Sequence, residues 1–256
     1  MRRSKSLERL RTGKAVQICS LGHFIPPFVC HAAEVGFDCI WLDLEHRSFD
    51  NHQVQTLLAF CRMYDIDCMV RPSITQSTQL YRYLEDGATG LMIPHVSTEE
   101  RARSLVESVK FPPLGNRGLD GAGLDTEYML QGGTSYPEEA NAETFLVVQI
   151  ETPQAIEAVE AIAAIDGVDG LFIGTGDLGL RLKCSKSAMS LEDAIDIVAS
   201  AAKKHGKAWG CPMLTVDNMR DFSRRGAQLI SHGGDFLGLK LYLESLARDF
   251  VQAEIG

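Results

Sequence analysis

Four side chains stand where metal and acid–base chemistry could be done: His46, Arg71, Glu151 and Asp177. The two acids share the stretch FLVVQIETPQAIEAVEAIAAIDGVDGLFIGTGDL, residues 145–178, in which an apolar run ends in Glu151. A helix-like segment follows, then a second apolar run and a glycine-rich turn carrying Asp177. Two buried strands that bring one carboxylate each to the same sheet edge could hold a hard divalent ion such as Mg²⁺ or Mn²⁺, with water and substrate completing the octahedron. Each acid also has a plainer reading: Glu151 could cap the helix opening at Thr152, and Asp177 could cap a turn. His46 lies in DLEHRSFD beside Asp43 and Glu45. It could serve as a general base near neutral pH, or it could bond the loop backbone. Arg71 ends an apolar run and precedes Pro72, so its charge must meet an anion there. That anion could be a substrate oxygen, or simply Asp43 or Glu45. Glu85, near a helix end, reads as solvated on its own, and His95, His232 and the cysteines read as structural.

The elements that would position these residues alternate. Strand candidates are Val16–Leu21, Cys39–Leu44, Cys68–Arg71, Gly90–Pro94, Phe145–Ile150, Gly170–Gly174, Ala208–Met213 and Gln228–His232. All are short and mostly apolar, as strands of a sheet covered on both faces should be. Helix candidates lie between them, over Phe28–Val35, Asn51–Tyr64, Ser77–Asp86, Thr98–Lys110, Thr152–Ile165, Leu191–His205 and Val216–Arg225, with Phe236–Val251 last. Ser97 with Glu100 reads as a capping box for the fourth of these, and Pro153 sits near the first position of the fifth. Leu7, Leu10 and Gly13 suggest a short opening helix. Eight strand–helix units predict an α/β (β/α)₈ TIM barrel, one domain over residues 1–256, in preference to a doubly wound sheet. In such a barrel the strand C-termini share one mouth. Here they carry Asp43, Glu45 and His46, then Arg71, then His95, then Gln149 and Glu151, then Gly174, Thr175, Gly176 and Asp177. The irregular stretch Phe111–Ala142 has the length of a functional or interface loop.

With 45% hydrophobic residues, the chain can bury a sizeable core. A net charge of -9 argues against a general nucleic-acid or anionic-membrane binder. Seven scattered cysteines without a CxxC pair suggest reduced thiols in a cytoplasmic setting. The basic opening MRRSKSLERLRTG has no apolar segment behind it, so it does not read as a secretory signal, and no stretch approaches a membrane span.

The stretches GFDCIWLDLEH (36–46), VRP (70–72), LEDGATGLMIPHVSTEERAR (84–103), KFPPLGNRG (110–118), VVQIETPQAIE (147–157) and GVDGLFIGTGDL (167–178) together resemble the HpcH/HpaI aldolases, the class II, metal-dependent pyruvate aldolases. The resemblance spans nearly the whole chain. It implies a barrel assembled as a homohexamer, a trimer of dimers, with the C-terminal helix exchanged between subunits. It implies that Glu151 and Asp177 hold a divalent ion, Mg²⁺, Mn²⁺ or Co²⁺, and that Arg71 stabilises a metal-stabilised enolate. His46 would belong to the base system, partnered by Glu85 across a subunit interface. Gln149 would line the substrate pocket, Asp43 would orient its neighbours with Glu45 in support, and amides of the Gly174–Asp177 turn would hold the substrate carboxylate. Thr175 stands where many relatives have proline, and the seventh and eighth strands match the family less well, which points to a distinct wall around the aldehyde.

The expected reaction is reversible cleavage of a 4-hydroxy-2-oxo acid, such as a 2-keto-3-deoxy sugar acid, to pyruvate and an aldehyde. No lysine falls at a predicted strand end of the mouth, which disfavours a Schiff base and favours a metal Lewis acid. The same enolate would serve an oxaloacetate decarboxylase or a condensing lyase. A barrel that only binds metabolites is the alternative outside enzymes, and no evident basic cluster supports a CoA-ester lyase.

Overall fold

The computed structural model describes residues 1–185 and 188–254. Eight parallel strands close into a barrel in sequence order: β1 (Val16–Leu21), β2 (Cys39–Asp43), β3 (Asp67–Arg71), β4 (Gly90–Ile93), β5 (Phe145–Ile150), β6 (Gly170–Ile173), β7 (Ala208–Pro212) and β8 (Leu229–Gly234). The ring shuts where β8 pairs with β1. Helices are α1 (Lys5–Arg11), α2 (Pro26–Glu34), α3 (Asn51–Met63), α4 (Ser77–Glu85), α5 (Glu99–Val109), α6 (Tyr136–Glu143), α7 (Pro153–Ala163), α8 (Thr175–Cys184), α9 (Leu191–His205), α10 (Val216–Arg224) and α11 (Asp235–Gln252).

The two faces of each strand build two cores. Ile18, Trp41, Met69, Met92, Val147 and Phe172 fill the barrel lumen. Leu42, Val70, Leu91, Val148 and Leu171 pack outward against the helices. Both faces are therefore apolar, which is why these strands read as continuous apolar runs rather than alternating ones. Closure also needs a close backbone approach: a Cβ on Gly210 of β7 would lie 1.8 Å from the Leu229 carbonyl oxygen on β8.

Several boundaries differ from the sequence expectation. The irregular stretch Phe111–Ala142 contains a 3₁₀ turn at Leu124–Thr126 and most of α6. The glycine-rich turn around Asp177 is the first turn of α8, a helix the glycines disguise. Its Leu178 and Leu182, four apart, are the buried pair that anchors it. At α5 the N-cap is Thr98, whose side chain accepts the Arg101 N–H at 3.2 Å. The expected Ser97 box is absent because Ser97 Oγ is 2.8 Å from Thr152 Oγ1 instead.

The last helix is unlike the others. Of the 18 residues of α11, Asp235 is the buried one, and Phe236, Leu239, Leu243, Leu246 and Phe250 are exposed. Among the described residues no helix is long and apolar enough to cross a membrane. All seven cysteines are free.

Candidate active site

Side chains two apart on a strand share a face, so the lumen-facing residues continue upward to the mouth. Trp41 leads to Asp43 on β2, Met69 to Arg71 on β3, and Val147 through Gln149 to Glu151 at the end of β5. Sequence parity alone thus aims three charged groups at one opening.

Asp43 and Arg71 form a forked pair. Arg71 Nε donates to Asp43 Oδ1 at 2.9 Å, and Arg71 Nη2 lies 2.8 Å from Asp43 Oδ2. Asp43 Oδ1 also accepts the backbone N–H groups of Glu45 and His46, at 3.1 and 3.3 Å. One carboxylate therefore folds the loop after β2 and fixes the guanidinium. Burial pushes the Asp43 carboxyl up, but the Arg71 guanidinium and the loop amides outweigh this and hold it below the usual carboxylate range. Arg71 Nη1 reaches Glu45 Oε2 at 3.1 Å, and the guanidinium lies over the Trp41 ring at 4.7 Å. The pairing of Arg71 with Asp43 and Glu45 is real, and it leaves a rigid cation at the rim.

Glu45 is a junction. Its Oε2 lies 3.6 Å from His46 Nε2, and its Oε1 lies 3.3 Å from Nε2 of His95. His95 continues the chain: its Nδ1 is 2.9 Å from Glu151 Oε1, and its backbone N–H donates to the same oxygen at 2.6 Å. The residue takes the left-handed backbone conformation, φ 57°, to do this. His95 was expected to be structural; the geometry makes it the bridge between the β2 and β5 sides of the mouth. The signal was available, because it follows β4 as His46 follows β2.

Glu151 does not cap α7. Thr152 does, its Oγ1 accepting the Ala155 N–H at 3.0 Å. Glu151 is buried, with Oε1 taken by His95 and no partner for Oε2 among the described residues. Gly174 makes room for that free oxygen, since a Cβ there would lie 2.6 Å from it. Asp177 lies in the first turn of α8 and pairs with Arg181 at 3.0 Å. Arg181 Nη1 also donates to the Glu151 carbonyl at 2.9 Å, linking the Asp177 carboxylate to the Glu151 backbone. Below Glu151, Gln149 is buried with its Oε1 unpartnered. The donors fit a hard cation in chemistry, because both acids are oxygen ligands with an oxygen to spare. Among the described residues no group of three or more His, Cys, Asp or Glu could hold a metal, so solvent and substrate would supply most ligands.

Residues 23–239 match the sequence profile of the HpcH/HpaI aldolase/citrate lyase family. The chain belongs to that family. It is 32% identical over 226 residues to a hydroxypyruvate/pyruvate aldolase of Deinococcus radiodurans, covering 85% of this chain and 79% of the relative. It is 32% identical over 224 residues to a 4-hydroxy-2-oxo-heptane-1,7-dioate aldolase of Klebsiella pneumoniae, covering 85% and 83%. Among solved structures, an HpcH/HpaI aldolase from Desulfitobacterium hafniense superposes with TM-score 0.88 at 28% identity, over 95% of each chain.

Four further positions complete the view of this HpcH/HpaI family member. Glu85 ends α4, which runs antiparallel to the strands, so it lies at the barrel end away from the mouth. There it lines a cavity with Gln55, Arg82, Asp120 and Tyr128. Burial raises its carboxyl above the usual range, against the pull of Arg117. Within one chain it is not brought to His46. Lys14 and Lys207 precede β1 and β7 and so lie at strand N-termini, away from the mouth, with Lys207 donating to the Ile165 carbonyl. His232 fits its structural reading, its Nδ1 being 2.6 Å from the Met213 carbonyl oxygen.

Proposed function

We propose that this protein is a divalent-metal-dependent lyase that reversibly cleaves a 4-hydroxy-2-oxo acid into pyruvate and an aldehyde. Glu151 and Asp177 would hold the ion, which supplies Lewis-acid polarisation of the 2-oxo carbonyl. Arg71 adds a fixed positive charge where negative charge develops on that oxygen, and it needs no reorganisation because Asp43 and Glu45 already orient it. His46 takes the proton of the 4-hydroxyl as the bond between C3 and C4 breaks. The C4 oxygen becomes the aldehyde carbonyl, and the bonding pair passes to the enolate, which gains a proton at C3 to give pyruvate. The free N–H groups at the start of α8, from Thr175 to Asp177 after Gly174, suit the substrate carboxylate. Gln149 offers its unpartnered oxygen to the pocket wall.

Glu85 would serve His46 of a neighbouring copy. A homohexamer with α11 exchanged between subunits fits the apolar surface that helix leaves exposed. Seven free cysteines suit a reducing, cytoplasmic setting.

The observation that supports this reading most is the unbroken polar chain Arg71–Glu45–His95–Glu151 across the mouth, ending in a buried carboxylate with one oxygen to spare. The test is a panel of 4-hydroxy-2-oxo acids, oxaloacetate and pyruvate, run with Mg²⁺, Mn²⁺ and Co²⁺ and after EDTA. Cleavage with exchange of the pyruvate methyl protons, both lost in EDTA, is expected. Activity that survives EDTA overturns the metal role. Carbon dioxide release from oxaloacetate without aldol cleavage overturns the aldolase reading.

A further inference from the structure

The ring of His46 does little to hold itself in place. It is exposed, and its Nε2 meets Glu45 Oε2 at 3.6 Å. What fixes the residue is its backbone, which is held from two sides. The His46 N–H donates to Asp43 Oδ1 at 3.3 Å. The His46 carbonyl accepts from Arg47 Nη1 at 2.8 Å. The first hold belongs to the mouth; the second leads away from it.

Among the described residues no carboxylate pairs with Arg47. Its guanidinium lies over the Phe236 ring at 4.2 Å, and that ring stacks on His23 at 3.9 Å. His23 is locked in turn. Asp235 Oδ2 is 2.6 Å from its Nδ1 and accepts its backbone N–H at 2.8 Å, while Asp235 Oδ1 accepts the Gly22 N–H at 3.0 Å. Asp235 is the buried residue of α11. Gly22 leaves the space these parts share: a Cβ there would lie 2.5 Å from the Phe236 ring and 3.0 Å from Arg47 Nε. A guanidinium stacked on an aromatic face keeps its N–H groups in the plane above that face, so the ring sets where they point. An unbroken series of contacts, Asp235–His23–Phe236–Arg47–His46, thus joins the start of α11 to the loop after β2.

Resting on the role given to His46 above, we propose that Phe236 is a positioning residue for the base. It acts through Arg47, and the His23–Asp235 pair fixes its ring. The base is then held from α11, the helix that otherwise leaves the barrel, and whatever displaces the first turn of α11 slackens His46.

The test is a double-mutant cycle of Phe236→Leu and Arg47→Gln, with Phe236→Tyr as the variant that keeps the ring. Steady-state cleavage of the best-cleaved 4-hydroxy-2-oxo acid of the panel is measured with Mg²⁺, alongside melting temperature and sedimentation. Each single variant should lower kcat by about tenfold to a hundredfold, the scale on which a small misplacement of a catalytic group is felt, with KM little changed. The double variant should be no slower than the slower single one, because both break one series of contacts. Phe236→Tyr should recover most of the loss. Losses that multiply in the double variant, a change carried by KM, or unchanged kcat overturn the proposal. If Phe236→Leu melts early or changes its oligomeric state, Arg47→Gln at the exposed end of the series decides alone: a fall in kcat at constant KM supports the proposal, and parent-like kcat overturns it. A parent that cleaves no member of the panel and exchanges no pyruvate methyl protons overturns the aldolase reading, and this proposal with it, a result distinct from the others.

Discussion

Asp43 holds the β2 loop through Oδ1 and Arg71 through both oxygens, so it can be tested for both. Asp43→Asn keeps the shape but cannot accept the guanidinium fork and the loop amides together. The expected cost is ~1–3 kcal/mol of stability, the range for stripping a partner from a buried polar group, read by denaturant unfolding. The pH dependence follows from the depressed carboxyl. The folded state binds the proton more weakly than the unfolded state, whose value lies near 3.8. The stabilisation is therefore fully present above that value and is lost as pH falls through the lower, folded one. Asp43→Asn should flatten this part of the acid-unfolding curve, and an unchanged curve would remove Asp43 from the account.

Among the elements, two glycines separate stability from chemistry. Gly210→Ala would drive a methyl group into the Leu229 carbonyl at the β7–β8 seam. It should cost ~1–3 kcal/mol or more, as overpacking does, and show as a lowered melting temperature. Gly174→Ala meets Glu151 instead, its movable Oε2 at 2.6 Å and its backbone-anchored Cβ at 2.9 Å, so a smaller loss of melting temperature should accompany a fall in turnover and ion binding. Most elements were legible because buried parallel strands announce themselves as apolar runs. The mouth was legible because strand ends are the one place where such runs must turn polar. What stayed hidden had local causes. Three glycines in GTGDLG masked α8, whose leucine pair shows only when counted at helical spacing. The sequence points to Ser97 as the cap of α5, and only a contact with Thr152, distant in sequence, takes Ser97 away and leaves the cap to Thr98. The position of His95 after β4 places it at the mouth, but its bridging contact depends on a left-handed backbone that no neighbouring residue advertises.

At the scale of the whole molecule, the separation of Glu85 from His46 is the informative fact. One sits at the bottom of the barrel and the other at its mouth, so any partnership between them belongs to an assembly. Mixing His46→Ala with Glu85→Ala subunits tests this. Each variant alone should be nearly inactive, and the mixed oligomer should recover up to about a quarter of the parent rate, because a random mixture rebuilds that share of intact interfaces. No recovery on mixing would place Glu85 outside the chemistry. The exposed apolar face of α11 supplies a surface on which such copies could associate.

The contact between Trp41 and Arg71 gives the protein an optical gauge of its own. The chain has two tryptophans. Trp41 lies under the rim guanidinium, while Trp209 packs edge-on to Phe222 on the outer side of the barrel wall. A charged group over an indole perturbs its excited state, so an anion that binds against the fixed Arg71 and offsets its charge should alter the emission of Trp41 and leave Trp209 silent. Adding pyruvate with Mg²⁺ should therefore change the fluorescence of the parent and of Trp209→Phe, and leave Trp41→Phe dark to the ligand. Occupancy of the mouth could then be followed by light, with no label and no turnover.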